Sequence, residues 1–171
     1  SAGASAAGTR FAGRYADVIF MPGRTPDTER AARVAAVRQI AEESGRPPES
    51  VRVQMHVSLL VRETQQEAEE TSRRIAASVD ARAVAEYLAS VRANVSTYDD
   101  IYREMGELQL QEIGLVSGAR KVHGDPDFVA DELARLHESG CDSIAVALPF
   151  WSPEQIRGFA RLVLPRLAER G

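Results

Sequence analysis

The spacing of hydrophobic and polar positions changes several times along the chain, and each change marks an element. Ala6 to Tyr15 reads as a short helix, and Asp17 to Phe20 as a buried strand broken by Met21-Pro22-Gly23. Thr25 and Pro26 open a helix that runs to about Ser44, because proline is favoured at the first helical position. Val34, Val37, Ile40 and Ala41 form its inward stripe, and Gly45 with Pro47-Pro48 ends it. Val51 to Val61 is the clearest strand, with Val51, Val53, Met55, Val57, Leu59 and Val61 on one face and Arg52, Gln54, His56, Ser58, Leu60 and Arg62 on the other. Thr64-Gln65-Gln66-Glu67 is a capping box for a helix to about Ser78. Asp80 starts a second helix to about Ala93, and Ser96 or Thr97 a third to about Ile113. Leu115 to Gly124 reads as a loop. Asp125 and Pro126 then start a helix with Val129, Leu133 and Leu136 inward, closed by Gly140. Asp142 to Leu148 is apolar on both faces, as expected for a strand covered on both sides. Ser152-Pro153-Glu154-Gln155 is a second capping box, opening a final helix that Pro165 should kink.

Strands separated by helices predict a parallel α/β sheet. Three strands are visible, and Ser1 to Ala4 reads as the end of a fourth whose beginning is not in the sequence. The pattern is half of a larger sheet. The three consecutive helices interrupt the alternation, so residues 64–116 are expected to be a helical insertion within a single domain, 1–171, more mobile than the strands if they form a lid. The two edges of such a half sheet predict that the chain is not a stable isolated monomer and either pairs with its other half or self-associates as a homo-oligomer.

Composition narrows the function. The 171 residues are 44% hydrophobic and 27% charged, with a net charge of −4, which argues against an electrostatic nucleic-acid binder. Cys141 is the only cysteine, so neither an internal disulfide nor a cysteine metal cluster is available, in keeping with a cytoplasmic protein. The longest apolar run, Ile144 to Trp151, is too short to span a membrane, and the N-terminus has no signal-peptide pattern.

Several residues are candidates for chemistry. The small-residue turn Ser1–Ser5 runs into a helix start, where unpaired amides and the helix dipole favour an anion such as phosphate. Gly3 would let the backbone approach closely, and Ser5 would cap the helix or bond the anion. An N-cap that binds nothing fits the same residues. His56 reads either as a polar group facing a barrel interior, able to act as acid or base, or as a hydrogen-bonded core histidine. His123, beside Lys121, reads as a surface residue, and His137 as solvated. Tyr98, Tyr102 and Met105 read as a packing stripe or a lid over a substrate. Phe150 and Trp151, just past a strand end, read as a pocket wall or simple packing. Histidines spaced so far apart do not suggest a metal site.

Five stretches in order resemble the luciferase-like flavin monooxygenases. They are SAGAS-x-x-G followed by RYADVIF; HVSLLVRET; Gly124-Asp125-Pro126 with Val129 to Leu133; Ser139-Gly140-Cys141-Asp142; and Phe159 to Arg166. The match is weakest from about Ser72 to Ala119. The resemblance implies the C-terminal half of a (β/α)8 TIM barrel, with a reduced flavin at the C-terminal face of the strands. FMN supplied by a separate flavin reductase is the usual arrangement, some relatives use a deazaflavin, and oxygen and a small-molecule substrate complete the reaction. The family's phosphate-binding turn falls on Gly3, Ala4 and Ser5. Ser1 stands where the family usually has glutamine, which puts that side chain's contact in doubt. A deazaflavin oxidoreductase and a non-catalytic half-barrel assembly module are the competing readings, and either way the N-terminal half of the barrel is an expected partner.

Overall fold

Strict period-two alternation along β2 (Arg52–Val61) organises the sheet, because its alternate residues must face two different layers. In this computed structural model, which describes residues 1–2, 5–23, 25–94 and 118–170, β2 lies between the other strands, all parallel. β1 (Val18–Met21) pairs with its first half, Ile19 opposite Val53 and Met21 opposite Met55. β3 (Arg120–Gly124) pairs with its second half, from Val57 opposite Arg120 to Val61 opposite Gly124. β4 (Ser143–Ala147) pairs with its middle, Gln54 to Ser58. β4 overlaps both β1 and β3 along β2, so β1 and β3 share one edge end to end and β4 holds the other. Ser1 donates to the Val18 carbonyl and accepts from the Phe20 amide, both at 2.7 Å. That is a parallel bridge beside Ile19, as expected for the end of a further strand.

Helices lie on both faces of the sheet, and the main core is on one of them. α1 (Ala6–Tyr15) crosses α2 (Asp27–Glu43), whose buried side carries Arg30, Val34, Val37 and Ala41. The structure then runs through α3 (Gln65–Ala77), α4 (Ala81–Asn94) and α5 (Pro126–Glu138), the last presenting Val129, Leu133 and Leu136. These side chains pack against Ile19, Met21, Val53, Met55, Val57 and Leu59 in one core. Each fully buried Val, Leu or Met contributes about 1.5–3 kcal/mol. Arg46 donates to the Gly13 and Ala16 carbonyls at 2.9 Å, closing the C-terminal end of α1 with a positive charge where the helix dipole favours it. Behind the sheet, Asp27 binds Arg30 and Arg120, and Glu132 binds Arg120 and Arg135, tying α2, β3 and α5 together. Burial pushes the Asp27 carboxyl up, but the hydrogen bonds and charges of Arg30 and Arg120 outweigh it and hold the group below its ordinary value.

Several expectations change. β3 occupies part of the stretch read as a loop, because its strand conformation comes from the free edge of β2 rather than from its own pattern. β4 is not covered on both faces: Ser143 and Val146 are exposed, and among the described residues no strand lies on its far edge. Thr64 and Glu67 form the expected capping box. Ser152 instead caps through the Glu154 amide, while Oε1 of Gln155 accepts from Arg62 at 3.3 Å. Pro165 divides the last helix into α6 (Pro153–Leu162) and α7 (Leu164–Glu169). The helix expected from Ser96 or Thr97, with Tyr98, Tyr102 and Met105, lies outside the described residues.

Candidate functional site

The sheet face away from α2 and α5 carries the polar positions. Register places Phe20 beside Gln54, Ala145 beside His56 and Ala147 beside Ser58 on that face. Beside His56 the neighbours are small or aromatic, while Ser143 lies beside Gln54 and Lys121 beside Ser58. Gln54 and His56 are half-buried. The Phe20 and His56 rings lie 5.7 Å apart and tilted by 44°, which fixes one side of the imidazole. Burial pushes the His56 pKa down, so the ring favours its neutral form, one nitrogen donating and the other accepting. In that form it can bind a polar ligand edge or exchange a proton with it.

One step further along β2, Ser58 is buried and its hydroxyl lies 3.0 Å from Nε2 of His123. His123 is buried rather than on the surface: β3 turns it to the same face as Ser58, and Ser72 of α3 meets its Nδ1 at 3.0 Å. The Lys-Val-His alternation of β3 was the only local signal for this placement. His137 is exposed, as expected, with Nδ1 3.2 Å from the Cys141 carbonyl.

The turn before α1 is described only in part, since Gly3 and Ala4 lie outside the described residues. Ser5 is the N-cap, its hydroxyl accepting from the Gly8 amide at 3.1 Å, and it is exposed. The Ala6 and Ala7 amides have no acceptor within the helix, and no acidic residue occupies the first turn. That donor set suits a phosphate. Ser1 bridges to β1 on the edge away from β2, so Ser1 and His56 stand two strand positions apart, a lateral separation of about 10 Å.

Phe150 and Trp151 are exposed after β4. Trp151 lines a cavity of about 350 Å³ with Leu59, Val146, Leu148, Gln155, Ile156 and Phe159. Leu59 and Val146 point to the helix side, so Trp151 does not wall the polar face. A second cavity of about 500 Å³ lies along the same side of β4, against Leu133, Leu136, Phe159 and Leu167. Among the described residues no cluster of His, Cys, Asp and Glu could hold a metal ion. No helix among them is long and apolar enough to cross a membrane.

The family described as luciferase-like monooxygenase matches residues 1–143. The crystal structure of DmoA from Hyphomicrobium sulfonivorans superposes with a TM-score of 0.81 at 22% identity, covering 99% of this chain and 41% of that one. The long-chain alkane monooxygenase LadA gives 0.79 at 25%, covering 99% and 40%. The riboflavin lyase RcaE, solved with modified FMN and riboflavin, gives 0.77 at 26%, covering 99% and 42%. A coenzyme F420-dependent tetrahydromethanopterin reductase from Methanopyrus kandleri shares the fold at 0.54 and 17%, covering 93% and 48%. The chain therefore spans about two-fifths of the length of the first three relatives and has the architecture of half a (β/α)8 barrel.

Proposed function

Since the chain belongs to the luciferase-like monooxygenase family, we propose that it is the C-terminal half of a flavin-dependent monooxygenase that uses reduced FMN and molecular oxygen on a small organic substrate. The observation that carries this reading is the polar face of β2. In a closed barrel it becomes interior, and it offers the half-buried Gln54 and His56 along the strand, with the buried Ser58 nearer the C-terminal end, the end where barrel active sites sit. FMN would supply the electrons and the oxygen chemistry. The turn Gly3–Ser5 would hold its phosphate through backbone amides and the Ser5 hydroxyl. His56, held neutral, would bond the flavin or substrate and accept or return a proton at a ring nitrogen. Phe20 would keep that nitrogen oriented and shield it from water.

The remaining parts of the proposal follow from the half barrel. The N-terminal half would supply the other wall, the fragment alone would be inactive, and a flavin reductase would provide the reduced cofactor. Residues 64–116 would form an insertion over the barrel mouth. A cytoplasmic protein that self-associates and binds neither nucleic acid nor membrane fits the sequence expectations. A second reading, a deazaflavin-dependent oxidoreductase, is favoured by the F420-dependent reductase that shares the fold. Anaerobic titration of the completed barrel with reduced FMN and with reduced deazaflavin tests both. Tighter binding of FMN supports the monooxygenase, tighter binding of deazaflavin supports the rival, and binding of neither leaves a non-catalytic assembly module.

A further inference from the structure

Three side chains from three elements meet in the interior toward the C-terminal end of β2. Ser58 comes from β2, His123 from β3 and Ser72 from α3, and their exposures are 1%, 7% and 5%. Each ring nitrogen of His123 lies 3.0 Å from a serine hydroxyl. A neutral imidazole has one donor and one acceptor, and a hydroxyl can serve as either, so both tautomers satisfy the trio. Two helical turns before Ser72, on the same side of α3, the Gln65 side chain accepts from the Asp125 amide at 3.3 Å. Ala68 and Thr71, between these two points, are buried. α3 is therefore held at its first residue and at its middle, along one face, against β3 and the turn that follows it.

We infer that His123 is a positioning residue: it pins α3 over the polar face of β2, building one wall of the flavin site before any ligand arrives. This rests on the flavin reading for the identity of the ligand, though the pinning itself does not. A lid helix attached only by surface contacts would open readily. Opening α3 would break the hydrogen bonds that a buried imidazole links between strand and helix, so the pinned helix opens less readily.

The test uses the completed barrel with Ser72→Ala and Ser72→Thr, the latter keeping the hydroxyl. Hydrogen exchange without ligand is measured on α3, α2 and α5, and reduced FMN is then titrated. Ser72→Ala should raise exchange in Gln65–Ala77 by about tenfold while α2 and α5 stay unchanged, and should weaken FMN binding several-fold. Ser72→Thr should restore both. Unchanged exchange in α3, or an equal rise in every helix, would show that the trio is only part of the core and overturn the pinning. Selective loosening of α3 with unchanged FMN affinity would overturn its place in the flavin wall. If the unaltered protein binds no FMN, the flavin reading fails, and the exchange measurement alone decides the pinning.

Discussion

Gly23→Ala should be among the most damaging single-methyl changes in this protein. Gly23 follows β1 where the chain passes beside β2 and β3. A Cβ added there would lie 1.8 Å from the Arg120 nitrogen, 2.2 Å from the His56 carbonyl oxygen and 2.5 Å from the Ala119 carbonyl carbon. These are backbone atoms, so no rotamer change relieves the overlap. Ordinary contact needs about 3.5 Å or more, so β3 must move by about 1.5 Å. Overpacking alone costs about 1–3 kcal/mol. The shift also strains the Ser58–His123 bond and the first rungs of the β2–β3 ladder, each contributing about 1 kcal/mol, and the exposed Arg120–Asp27 pair, which adds little. The total is about 3–5 kcal/mol. Gly45→Ala is the control. Gly45 sits at φ +77° with nothing within 4 Å of an added Cβ, so its cost is left-handed strain alone, about 1–2 kcal/mol. Urea unfolding followed by circular dichroism suits the comparison, because Trp151 is 79% exposed and its fluorescence would change little. If Gly23→Ala costs no more than Gly45→Ala, the close approach of β1, β2 and β3 is wrong.

Ser5, His56 and Cys141 give three further tests. Ser5→Asp should keep the N-cap, and with it helix stability, while its negative charge repels the FMN phosphate; Ser5→Ala should cost about 1 kcal/mol of stability and weaken FMN binding by about tenfold or more, and unchanged FMN affinity in both would remove Ser5 from the site. Burial lowers the His56 pKa from 6.5, so the unfolded chain takes up the proton first and stability should fall as pH drops below 6.5; a His56→Gln variant with the same pH slope in thermal melts would refute this. Cys141 is buried, and burial raises its thiol pKa, so a thiol reagent at neutral pH should label it only as fast as β4 opens; labelling at the rate of a free thiol would contradict its placement.

Elements that bury a regular stripe were legible from their own residues. The β2 alternation, the α2 stripe and the Thr64 capping box reappear within a residue or two of their expected ends. β3 was not legible, because Arg-Lys-Val-His-Gly has a single strongly apolar position and its strand state depends on an edge about sixty residues away in sequence. The burial of His123 was lost with it. β4 shows the opposite case. Its residues suit a strand enclosed on both sides, as in a whole barrel, while the described chain leaves one edge and part of the helix side uncovered. The anion turn was legible as an N-cap, but a cap and a phosphate site use the same residue types, so pattern alone could not separate them.

In the flavin reading, the polar face of β2 lines the cofactor site once the barrel is closed. The chain contains three histidines, His56, His123 and His137, so labelling it alone with nitrogen-15 histidine and completing it with an unlabelled N-terminal half gives a spectrum of three imidazoles. Titration with reduced FMN under anaerobic conditions should shift the His56 ring strongly, His123 less and His137 not at all. FMN binding that leaves His56 unmoved would place the cofactor elsewhere and contradict the account.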